Sequence, residues 1–140
     1  MKTVIRNVLA LIVGILVGSA VNMALVMLGP MLVPAPPGVD VTSMESLAAT
    51  MHLFEPKHFI APFLGHAAGT FVGALLAFFI AVSYRQVFAY VVGGAFLVGG
   101  ASMVLVIPSP IWFTLLDLIV AYIPMAWLAI RAGLSLRKRS

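Results

Sequence analysis

The 140-residue chain contains no cysteine and only four acidic residues, and charged side chains make up just 9% of it. Without cysteine, no disulfide or thiolate–metal framework can form. Soluble domains carry roughly 25% charged residues, so the shortage of charge argues against a water-exposed surface. Phosphate-binding glycine loops, nucleotide fingerprints and nucleophile triads are also missing. What fills the chain instead is apolar: 63% of its residues are hydrophobic. A folded unit of this size cannot hide that much apolar surface from water, so the surplus is expected to face lipid.

A helix needs about 20 apolar residues to cross roughly 30 Å of hydrocarbon. Four runs qualify, at about residues 4–29, 58–82, 86–107 and 111–132. They predict an all-α integral membrane protein, a single transmembrane domain over residues 1–140 in which four helices form an antiparallel bundle. The amino terminus has the basic start of a secretory signal, but its apolar run is too long for one and is expected to stay as the first helix. Ser83, Tyr84 and Arg85 form a tight connection between helices two and three. Pro108 and Pro110 stop helix three and start helix four.

The long connection, residues 30–57, holds Pro30, Pro34, Pro36 and Pro37, which predict an extended start. A short amphipathic helix is expected at about residues 42–54, opened by a Thr42–Glu45 capping box, with Met44, Leu47, Ala48 and Met51 on one face. It should lie on the outer membrane surface.

Basic residues set the orientation. Lys2, Arg6, Arg85, Arg131, Arg137, Lys138 and Arg139 fall on one side of the spans, and only Lys57 falls on the other. By the positive-inside rule both termini are cytoplasmic, which fits a multi-pass protein of the inner (cytoplasmic) membrane. The basic tail is read as an anchor that also meets anionic lipid, not as a nucleic-acid surface.

Small residues carry the packing pattern. Gly65, Gly69, Gly73 and Ala77 recur at every fourth position of helix two; Ala10, Gly14 and Gly18 do so on helix one; Ala89, Gly93 and Gly99 mark helix three. In lipid, close backbone approach drives helix association, so these stripes predict tight helix contacts within the chain, with a homo-oligomer or partner membrane helices as the alternative use.

Three strongly polar side chains fall within the spans. Counting from the helix ends at 1.5 Å per residue, His66 lies about 12 Å deep, and Asp117 and Asn22 about 10 Å deep. His66 shares a stripe with Thr70 and Gly73, Asp117 with Thr114 and Ala121, and Ser102 with Ala95 and Gly99. Turned inward, these stripes would gather Asn22, His66, Thr70, Ser102 and Asp117 into a polar layer. Intramembrane ionisable groups face the bundle interior and mark ion or substrate paths, whereas a purely structural clasp is the alternative. A third possibility is a metal site: His52, Glu55 and His58 are spaced as zinc-competent ligands, with Glu45 as a fourth, although Pro56 breaks the helix that would align them. Haem would need a second buried histidine, and no cofactor is indicated by the residues. Pro124 should kink helix four by freeing the Val120 carbonyl.

The size and four-helix layout are similar to those of small multidrug transporters and fluoride channels. The residues are not: helix one lacks a membrane-embedded glutamate, and the phenylalanine and threonine pattern of the channels is missing. The leading expectation is a transporter or channel-like protein for an ion or small molecule. The alternative is a structural or accessory subunit, and the third is a membrane enzyme or metal-binding protein using the outer His/Glu cluster.

The basic asymmetry makes a direct prediction. With Ala35→Cys and Ser140→Cys variants in intact cells, a membrane-impermeant maleimide should label position 35 and should reach position 140 only after permeabilisation. Equal labelling of both from outside would reverse or abolish this topology.

Overall fold

The computed structural model describes residues 1–139; Ser140, expected on the cytoplasmic side, lies outside them. The described residues form helices α1 (Lys2–Leu32), α2 (Met44–Thr50), α3 (Ile60–Ile80), α4 (Arg85–Val106), α5 (Ile111–Val120) and α6 (Ile123–Lys138), with 3-10 turns at Met51–Leu53 and Pro56–Phe59. Four stretches are long and apolar enough to cross a membrane: Lys2–Leu32, Pro56–Ile80, Arg85–Val106 and Ile111–Lys138.

The distribution of side-chain size fits lipid-facing surfaces. The buried apolar positions are mostly alanine (Ala10, Ala74, Ala77, Ala89, Ala126, Ala129), while Val4, Leu16, Met27, Leu105, Ile111 and Ile119 are exposed. Apart from Phe59, Phe78, Val92, Phe113, Tyr122 and Ile130, large apolar groups point outward and small ones inward, the arrangement expected where backbone proximity holds helices together.

Helix α3 lies at the centre and packs against α1, α4 and α6. Its contact with α1 follows a strict register. A Cβ built on Gly14 would stand 2.7 Å from the Gly73 carbonyl oxygen, and one on Gly73 would stand 2.5 Å from the Gly14 carbonyl oxygen. Gly18 and Gly69 repeat this at 2.6 Å in both directions. Position numbers rise along α1 as they fall along α3. One step further, Asn22 takes the place of the glycine and lies against Gly65. On the other face of α3, the Phe78 ring fills the space left by Gly133 of α6, and Gly93 of α4 receives Ala126 of α6. Gly99, expected in a packing stripe, has no atom within 4 Å of its would-be Cβ, so this glycine makes no helix contact within the chain.

Polar groups tie the basic end together. Asn7 donates from Nδ2 to Ser83 Oγ at 2.8 Å and accepts from the Val82 N–H at 2.9 Å. Arg6 donates to the Ile80 carbonyl. The end of α1 thereby satisfies backbone groups in the α3–α4 turn, where Tyr84 adopts a positive φ of 49°.

Several boundaries differ from the sequence reading. Helix α1 runs through Pro30 to Leu32 instead of stopping near Gly29, because proline's φ suits a helix and the Val33 N–H still reaches the Gly29 carbonyl at 2.8 Å. The loop then turns at Pro36–Val39, where Gly38 supplies a φ of +82°. The short helix is capped by Ser43, whose hydroxyl accepts from the Ser46 N–H at 3.2 Å, and not by Thr42. Thr42 is already engaged: its hydroxyl and N–H both donate to Asp40 Oδ1, at 2.6 and 2.9 Å. Those two bonds hold the Asp40 carboxyl below the usual carboxylate range. The expected single fourth helix is two helices, interrupted at Ala121–Tyr122, where Tyr122 has φ −117° and ψ −82°.

The register predicts sharply unequal glycine effects. Gly69→Ala forces a methyl group against backbone and should cost about 1–3 kcal/mol of overpacking. Gly99→Ala meets nothing and should leave stability level or slightly raised. Thermal unfolding of the two variants in detergent is the check; equal melting temperatures would contradict the close α1–α3 contact.

Candidate functional site

The centre of the molecule holds a hydrogen-bonded cluster of His66, Asp117 and Tyr122. Each comes from a different local context: His66 from the middle of α3, Asp117 from the last turns of α5, and Tyr122 from the break between α5 and α6. His66 Nδ1 lies 2.8 Å from Asp117 Oδ1 and 2.9 Å from Oδ2. The Tyr122 hydroxyl donates to Asp117 Oδ2 at 2.9 Å. The Asp117 carboxyl therefore has two polar partners, an imidazole nitrogen and a phenol. The imidazole also stacks on the Tyr122 ring, with centroids 5.9 Å apart and planes 26° apart.

Burial is asymmetric within the cluster. The Asp117 side chain is 7% exposed and that of His66 is 26% exposed, while Tyr122 is buried. The carboxylate is thus sealed behind its donors, and the imidazole is the part that reaches the molecular surface. With Nδ1 committed to Asp117, Nε2 is the ring atom left to exchange a proton or meet a ligand.

The helix interruption makes the geometry work. Tyr122 lies five positions after Asp117, a spacing that does not stack side chains on an unbroken helix. The irregular backbone at Tyr122 swings its phenol back to the carboxylate. Pro124 lacks the N–H that would bond the Val120 carbonyl and so permits the break. Ala121 and Tyr122 are buried in protein, the condition under which non-helical backbone is tolerated within a membrane span. On α4, Gly100 makes room: a Cβ there would collide with the Tyr122 hydroxyl.

Of the five residues expected to form one polar layer, the structure joins His66 and Asp117. Thr70 is fully buried, but its hydroxyl donates to the His66 carbonyl one turn back, so it satisfies its own helix. Ser102 is exposed and donates to the Val98 carbonyl; α4 is rotated so that this face points away from the cluster. Asn22 sits in the α1–α3 contact, where its Oδ1 is buried and has no hydrogen-bond partner. Tyr122 is the cluster member that the sequence pattern did not single out, and Gly100, which the small-residue pattern of helix three includes, serves the cluster by making room for it. The available signal was a tyrosine two residues before an intrahelical proline.

The outer His/Glu residues do not converge. His58 Nδ1 accepts from the Glu55 N–H at 2.9 Å, and Nε2 faces the Pro34 carbonyl at 3.1 Å. The Glu55 carboxylate pairs with Lys57 at 3.1 Å. His52 instead lines a groove of about 300 Å3 with Met51, Pro108 and Pro110. Among the described residues, no three His, Asp or Glu side chains come together as a metal-binding group. The expected site fails because Pro56 restarts the chain as a 3-10 turn and backbone groups occupy the His58 ring. Glu45 is exposed on α2, away from any such group.

No protein-family model matches the chain, and no curated protein or solved structure matches it at a significant level.

The cluster predicts two couplings. His66→Gln and Asp117→Asn should be non-additive in a thermal-unfolding double-mutant cycle by about 0.5–3 kcal/mol. Gly100→Ala and Tyr122→Phe break the same hydroxyl–carboxylate bond, so the double variant should be little worse than the more damaging single one. Additive losses in both cycles would dissolve the cluster into unrelated residues.

Proposed function

We propose that this chain is a small transporter or channel-like protein of the inner (cytoplasmic) membrane that handles a proton, or an ion or small molecule coupled to one, at His66 and Asp117. His66 and Asp117 both lie on stretches long and apolar enough to cross a membrane, which supports a site within the hydrocarbon layer. The observation that carries the reading is the His66–Asp117 contact itself, with the carboxylate sealed in and the imidazole facing out. Imidazole exchanges a proton in the physiological range, and an adjacent carboxylate balances the charge of its protonated form. Interhelical hydrogen bonds in membranes average only about 0.6 kcal/mol, so stability alone is a weak reason to keep two ionisable groups there. The interrupted α5–α6 span adds support. Discontinuous helices in transporters put unwound backbone beside the bound ion and give the span a place to move.

Proteoliposomes loaded with a pH-sensitive dye test this under an imposed membrane potential. The parent chain should acidify or alkalinise the lumen well above empty vesicles. His66→Ala and Asp117→Asn should lose about tenfold or more of that flux, equivalent to about 1.4 kcal/mol or more, while still reconstituting as folded protein. Flux equal to empty vesicles across a range of candidate ions would reject the reading.

One feature supports a second reading, an accessory subunit or homo-oligomer that packs against other membrane helices. Ala95, Gly99 and Ser102 form an exposed small-residue face on α4, spaced as helix-contact motifs are. A Gly99→Cys variant would carry the chain's sole cysteine. Disulfide formation between copies in native membranes would favour this reading, and its absence together with dye-detected flux would favour the transporter.

A further inference from the structure

The basic end carries a charge imbalance that no acidic side chain among the described residues offsets. The four acidic side chains all lie elsewhere. Asp40 is bonded to Thr42, Glu45 sits on α2, Glu55 pairs with Lys57, and Asp117 is held in the central cluster. At the opposite end, Arg85 and Arg137 line the same groove. Arg6 donates to a backbone carbonyl, but among the described residues neither Arg85 nor Arg137 meets a carboxylate. Like charges gathered at one end, with no acidic side chain beside them among the described residues, are an arrangement that an external anion stabilises.

A groove of about 400 Å3 opens beside two of these charges. Arg85, Gln86 and Arg137 supply its polar side, and Phe78, Val82 and Leu134 supply its apolar side. Val82 and Leu134 are 40% and 38% exposed, and Val87 next to them is 55% exposed, so the apolar wall continues onto the outer face of the spans. The groove thus pairs a two-guanidinium head with an apolar runway leading along α4 and α6. A free phosphate would use only the head.

We propose that this groove is a binding site for one anionic phospholipid of the cytoplasmic leaflet, its phosphate held between Arg85 and Arg137 and an acyl chain lying along Val87 and Leu134. Guanidinium pairs bind phosphate oxygens in bidentate fashion, which a diffuse basic tail does not. The acyl contact explains why the charged groove is lined by valine, leucine and phenylalanine. Basic pockets at helix ends on the cytoplasmic side are a recurring form of lipid headgroup recognition.

Native mass spectrometry of the full chain, released from detergent supplemented with palmitoyl-oleoyl phosphatidylglycerol or palmitoyl-oleoyl phosphatidylcholine, tests the site. The parent should retain one phosphatidylglycerol, at about tenfold higher affinity than phosphatidylcholine. Arg85→Gln with Arg137→Gln should abolish that preference. Among the described residues these two side chains have no carboxylate partner to lose, so the fold should be spared. Lys2→Gln with Lys138→Gln removes the same charge outside the groove and should keep the preference. Leu134→Trp fills the apolar wall without changing charge and should weaken retention. Excess inorganic phosphate should not displace the lipid. Equal retention of the two lipids, retention by the double-arginine variant, equal loss in the lysine control or displacement by phosphate alone would each overturn the proposal.

Discussion

A carboxylate that must be kept away from lipid organises the middle of this molecule. An aspartate facing hydrocarbon would cost about 2.5–3.5 kcal/mol on insertion scales, and Asp117 is instead turned inward onto two polar partners. One comes from α3, as the His66 ring. The other comes from Tyr122, which reaches back only because the fourth span breaks between α5 and α6. The break in turn needs Pro124 to relinquish a backbone bond and Gly100 to leave space on α4. A single buried carboxyl group therefore links an irregular backbone, a buried tyrosine and a glycine that would otherwise look interchangeable with its neighbours.

The second organising constraint is backbone proximity. Gly14 with Gly73 and Gly18 with Gly69 let α1 and α3 touch at their carbonyl oxygens. That contact fixes how α3 is rotated, with its glycines toward α1 and His66 toward α5 and α6. The two constraints thus share one helix, whose neighbouring faces hold the α1 contact and the His66–Asp117 pair. Asn22 sits at their junction. It replaces a glycine in the stripe, and its buried Oδ1 lacks a partner, which leaves an acceptor within the packed interface.

The spans and the His66–Asp117 pairing were legible in the sequence for simple reasons. Hydropathy reports span length, and counting residues from the span ends gives depth. Depth does not give rotation, and the misplacements came from there. Ser102 lies at a suitable depth, but α4 has small residues on two faces. Ala89 and Gly93 won the inward side, so Gly99 and Ser102 point out. Tyr122 was hidden because tyrosine in a span reads as an interface anchor, and because a continuous helix would have aimed it away from Asp117. The outer His/Glu spacing misled for a different reason: a sequence interval implies a shared ligand only if the backbone between the residues is regular, and Pro56 makes it irregular. Local bonds won at Thr42 as well, where the nearby Asp40 outcompeted the helix terminus for its hydroxyl.

The central claim is that Asp117 accepts a hydrogen bond from His66 Nδ1 inside the bundle. Nitrogen-15 NMR of histidine-labelled protein in bicelles reads that bond directly, and with only three histidines the resonances are assignable by substitution. The expected result is a protonated His66 Nδ1 with a strongly downfield proton that moves upfield in Asp117→Asn, while His52 and His58 stay unchanged. A His66 resonance that is insensitive to Asp117→Asn would contradict the cluster and everything built on it.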